Sequence, residues 1–109
     1  MADTKYHSPF MGSVTATSTA QSLYTLLQAV FTNIPQKASQ VIIQSDTTNG
    51  ATTLYIGNSA VTSALTGSNL AASQALPLGP LSSNLITLND LWLLSSSASI
   101  QVNVIVVVR

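Results

Sequence analysis

The sequence predicts a mainly β protein: a small antiparallel β-sandwich, jelly-roll-like, with one short N-terminal helix. Three observations carry this. Ile100, Val102, Val104, Val106 and Val108 alternate with their neighbours, which places all five on one face of an extended strand. Several other short β-branched runs are bounded by Gly, Pro, Asn and Asp. A single stretch, near the N-terminus, repeats leucine at helical spacing.

The chain has 109 residues, enough for one domain with a modest core. Residues 1–11 read as an arm, polar and without a steady period, and 12–109 as the domain. Gly12 to Thr17 alternates weakly, as a short strand would. Ser18 and Gln21 have the spacing of a capping box. Leu23, Leu26, Leu27, Val30 and Phe31 then form one apolar stripe, which Asn33 and Pro35 stop. This helix is expected as a lid over an open end of the sandwich, or against one face. Gln40 to Ser45 reads as a strand, with Val41 and Ile43 on one side and Ile42 on the other. Asp46 to Gly50 is a turn, and Thr52 to Gly57 returns as its hairpin partner. Val61 to Gln74 is polar, with Leu65 and Leu70 as isolated anchors. Pro77 and Pro80 argue against ladder bonding from Leu76 to Leu81. Asn84 to Leu88 and Leu91 to Ser95 are strands joined by a corner at Asn89-Asp90. The valine-rich strand closes the chain and is expected at the centre of a sheet, because so apolar an edge would invite aggregation.

Composition narrows the function. Charged residues make up 6% of the chain, with zero net charge and no Glu, against about 25% in ordinary soluble domains. So little charge repulsion favours a fixed assembly over a free monomer. Lys5, Lys37 and Arg109 are too few for a nucleic-acid groove. No run of apolar residues is long enough for a membrane-spanning helix. The absence of Cys removes disulfides and thiolate chemistry. His7 stands alone, and Asp3, Asp46 and Asp90 fit no metal or acid/base motif, so no cofactor, metal or catalytic set is expected. No G-x-S-x-G, HExxH or phosphate-loop pattern occurs. Trp92 is expected to pack in the core or at an interface, with its N–H held by a backbone carbonyl. A glycan-stacking role for Trp92 or Tyr55 is the rival reading.

From Gln40 onward the order of segments resembles a known pattern. Gln40-Val41-Ile42-Ile43-Gln44-Ser45-Asp46 is followed by Thr53-Leu54-Tyr55-Ile56-Gly57-Asn58-Ser59-Ala60-Val61-Thr62. Ala75-Leu76-Pro77-Leu78-Gly79 and Leu88-Asn89-Asp90-Leu91-Trp92-Leu93 come next, then the valine-rich strand. This is similar to small virion proteins of tailed bacteriophages, over roughly residues 40–109. Gly12 to Pro35 departs from that pattern. The resemblance implies a virion structural component of the head-decoration or cement type. Such a protein would be a homo-oligomer, with a trimer favoured, on the major capsid protein or another virion protein. Tail, neck or head-fibre placement and a receptor-binding module are the alternatives. In this reading the contacts are Tyr6 and Phe10 of the arm, Leu23, Leu27 and Phe31 of the helix, Trp92, and Ile105 and Val107 on the outer side of the last strand.

Overall fold

The structure, a computed structural model, describes residues 10–79, 85–97 and 99–108. In chain order the elements are β1 (Phe10–Ala16), β2 (Gln21–Ser22), α1 (Leu23–Gln28), β3 (Lys37–Ala38), β4 (Gln40–Ser45), β5 (Leu54–Gly57), β6 (Ser68–Leu70), β7 (Ala75–Leu78), β8 (Ile86–Thr87), β9 (Trp92–Ser95) and β10 (Ile100–Val107). Short 3-10 turns occupy Thr47–Asn49 and Leu88–Asp90. The result is a small, mainly β domain with antiparallel sheets and a minor helix.

The pairing follows one rule. β1 pairs with β10, β2 with β9, β3 with β8, β4 with β7 and β5 with β6, all antiparallel. The chain is thus one long ribbon doubled back on itself at the β5–β6 connection. Two further pairings, β10 with β4 and β5 with β9, wind the ribbon into two four-stranded sheets. Their orders are β1-β10-β4-β7 and β2-β9-β5-β6. β3 and β8 form a separate two-stranded pair.

Both sheets send side chains into one core. Val14, Val41, Ile43, Val102, Val104 and Val106 come from the first sheet, and Leu54, Ile56, Leu70 and Leu93 from the second. β10 is central, flanked by β1 and β4, as its alternation predicts. Its even-numbered residues from Ile100 to Val106 are buried. β-Branched side chains suit this setting because their restricted χ1 loses little on a packed pleat.

Several expectations are corrected. The segment Gln40–Ser45 and the segment Leu54–Gly57 do not form a hairpin. β4 has both edges occupied, by β10 and β7. Asp46 instead caps a 3-10 turn, accepting from the Thr48 N–H, and Gly50 takes φ 62°. That positive φ suits glycine and carries the chain across to the other sheet. The helix begins at Leu23, not at Ser18. Gln21 and Ser22 are held in register with Leu93 and Trp92, and the Leu23 N–H donates to the Leu91 carbonyl at 2.7 Å. The cap therefore falls to Ser22, whose side chain accepts from the Thr25 N–H. Val30 and Phe31 lie past the helix end.

Ser68–Leu70, inside the polar stretch Val61 to Gln74, is a strand. Ala75–Leu78 is also a strand despite Pro77. Ser45 donates to the Gln74 carbonyl and accepts from the Ser73 N–H. Odd-numbered β4 residues therefore face β7, so Pro77, opposite Ile42, turns its missing N–H to the free edge, where proline is tolerated. Of the expected strand Asn84 to Leu88, only Ile86–Thr87 is extended; Asn84 lies outside the described residues. Finally, β1 starts at Phe10, so the last two residues assigned to the arm belong to a sheet.

Candidate functional site

The outward faces of the sheets are where other molecules could meet the domain. On the first sheet, alternation sends Met11, Ser13 and Thr15 outward from β1, and Gln101, Asn103, Ile105 and Val107 from β10. Gln40, Ile42 and Gln44 point the same way from β4, and Ala75 and Pro77 from β7. Register then sorts these residues into rows across the sheet.

One row is apolar from edge to edge. Met11 is opposite Ile105, Ile105 opposite Ile42, and Ile42 opposite Pro77. Met11 is 64% exposed. Ile42 and Ile105 are half-buried, and Pro77 is exposed. Residues directly opposite across antiparallel strands sit within about 4.5–5.5 Å at Cα, so these side chains form one band. Met11, Ile105 and Ile42 of the band line a shallow depression together with Ser13, Gln44 and Ala75.

The next row is polar and satisfied. Ser13 Oγ donates to Asn103 Oδ1 at 2.8 Å. Asn103 Nδ2 donates to Asp46 Oδ1 at 2.9 Å and to Gln44 Oε1 at 3.3 Å. Gln44 Nε2 in turn donates to the Ser73 carbonyl at 3.3 Å. Beyond it, Asn49 clamps the Gln101 peptide: its Nδ2 donates to the Gln101 carbonyl, and its Oδ1 accepts the Gln101 N–H. The Asp46 carboxyl is held below its ordinary pKa. The Thr48 hydroxyl is the largest cause, at 2.6 Å, followed by the Asn103 amide and the Thr48 N–H. Its neighbours are neutral donors, and their role is to fix the end of the sheet.

The expected contact residues fall in four places. Ile105 and Val107 are on the outer face of the first sheet, half-buried. The Val107 carbonyl also accepts from the Ser39 N–H and hydroxyl. Phe10 and Phe31 meet each other edge-on, with ring centroids 5.3 Å apart, and pack against the core rather than beside Ile105. Leu23 and Leu27 are in the core, 0% and 1% exposed. They hold the helix in place and present no surface. Trp92 is on the second sheet, half-buried, with its Nε1–H donated to the Asn89 carbonyl at 3.1 Å. Tyr6 lies outside the described residues.

The sequence reading missed Met11 as a surface residue of the sheet and did not single out Ile42 or Pro77. Ile42 carried a usable signal, since it is a large apolar residue on the side of β4 opposite Val41 and Ile43. Met11 and Pro77 carried none, because their place depends on which strands pair.

Among the described residues, no group of three or more His, Cys, Asp or Glu is gathered to hold a metal. No helix among them is long and apolar enough to cross a membrane. Every buried side-chain polar atom described has a hydrogen-bond partner. Comparisons with protein-family models, with curated proteins and with solved structures give no match to this chain.

Proposed function

We propose that this protein is a non-enzymatic structural subunit that works by packing the outer face of its first sheet against other protein. The observation that carries this reading is the apolar band Met11–Ile105–Ile42–Pro77. The row beside it is polar and internally hydrogen-bonded, so the band is the part of the face that gains from being covered. Burial there is favourable at about 25 cal/mol per Å² of apolar surface. With zero net charge, long-range repulsion does not oppose it.

The proposed setting is the virion of a tailed bacteriophage, on the capsid surface, as a decoration or cement protein bridging shell subunits. Support comes from the resemblance of residues 40–109 and from strand order. Sheets of order β1-β10-β4-β7 and β2-β9-β5-β6, wound from one doubled ribbon, support the reading of a jelly-roll sandwich, an architecture that recurs in viral capsid domains. Fold analogy alone does not assign function; the band supplies the contact that the role needs.

The test is binding to shells assembled without the protein. Wild-type chain should bind them and raise their melting temperature. A variant carrying Ile42→Ser and Ile105→Ser should fold normally and fail to bind. Equal binding by both, or no binding by the wild type, would overturn the reading.

A further inference from the structure

The first sheet has two edges, and one of them lacks the usual protection. Native sheets guard edges with proline, charge, a bulge or very short strands, because free N–H and C=O groups template pairing with another chain. β7 carries Pro77, β6 has 3 residues and β2 has 2. β1 has 7 residues, Phe-Met-Gly-Ser-Val-Thr-Ala, with neither proline nor charge.

Hydrogen bonding shows which of its groups are free. The Gln101 carbonyl accepts from Asp46 and the Val107 carbonyl from Ser39, so the odd residues of β10 face β4. Its even residues therefore face β1, where they are opposite Phe10, Gly12, Val14 and Ala16. Met11, Ser13 and Thr15 are left with N–H and C=O directed away from the sheet. Thr17 confirms the direction, since its carbonyl, two residues further on, accepts the Ser95 N–H at 2.8 Å. Among the described residues, no backbone bond closes the edge from Met11 to Thr15. All three of their side chains are exposed.

We propose that this edge pairs antiparallel with the same edge of a second copy, about a twofold axis at Ser13. Only a register centred there uses all three residues. Ser13 is then opposite the second copy's Ser13, and Met11 opposite the second copy's Thr15, each pair exchanging two backbone hydrogen bonds. An isologous contact of this kind closes on itself. No charge is set against its like, because β1 has none. The two first sheets become one continuous sheet, and both apolar bands lie on the same face of it. The pairing stands apart from the shell-binding reading: a dimer that ignores shells keeps the former and ends the latter, and a shell-binding monomer does the reverse.

Native mass spectrometry of the full chain is the first measurement, with a dimer expected at twice the 11.3 kDa protomer mass. Ser13→Lys sets two cations opposite each other while its side chain stays in solvent, so it should give a monomer with unchanged circular dichroism. Ser13→Cys supplies the only thiol. A hydrogen-bonded pair places Cα atoms about 5.5 Å apart, within disulfide range, so mild oxidation should cross-link this variant and not Thr19→Cys. A wild-type monomer or trimer would overturn the proposal. So would a folded Ser13→Lys dimer, or equal cross-linking of the two cysteine variants.

Discussion

Ile42 and Ile43 are the same residue at adjacent positions of β4, and the fold uses them in opposite ways. Ile43 points inward and is 0% exposed, packed in the core with residues of both four-stranded sheets. Ile42 points outward between Ile105 and Pro77 and is half-buried. The contrast extends along β10, where Val104 is 2% exposed and its neighbour Ile105 is half-buried. The difference teaches that apolar residues in a strand do two jobs. The inner set makes the fold, and the outer set remains available for another molecule.

The strongest way to break this comparison is Ile43→Ala. Removing a fully buried side chain leaves a cavity, and the expected loss is about 2–5 kcal/mol of folding stability, read from urea unfolding. Ile42→Ala under the same conditions should cost less than about 1 kcal/mol, as surface substitutions do. Equal losses would show that the outer face is as tightly enclosed as the core.

The smallest effect concerns the polar end of the outer face. The pKa of Asp46 is depressed in the folded protein by the Thr48 hydroxyl and then the Asn103 amide. Its contribution is therefore complete above the ordinary value of 3.8 and is lost as pH falls below it, through the folded pKa. The urea midpoint should drop in that window. Asp46→Asn should flatten the drop while leaving the midpoint at neutral pH lower than wild type. An identical acid profile for the two proteins would show that this carboxylate does not hold the sheet end.

Much of the local structure was legible. The alternation of Ile100 to Val106 marked a central strand. The leucine spacing marked the helix, and Asp46 to Gly50 marked a change of direction. Errors arose where tertiary pairing overruled a local preference. Ser18 and Gln21 fit a capping box, yet the ladder of Gln21 and Ser22 with β9 moved the cap to Ser22. Pro77 argued against a strand, but an edge strand accepts proline when its outward side needs no donor. Of the expected contact residues, Leu23 and Leu27 went to the core because the helix is short and needs that face to stay attached.

The sequence by itself determined that the segments of β4, β5, β9 and β10 are extended, that β10 has one apolar face, and that almost no charge is present to keep copies apart. Those properties are local: they follow from β-branching, alternation and composition. Only the tertiary structure decided that β4 and β5 part company across the core, and that Met11, Ile42, Pro77 and Ile105 become neighbours. These four residues come from four strands spread along the chain, and register between distant strands is set by the shared core they enclose.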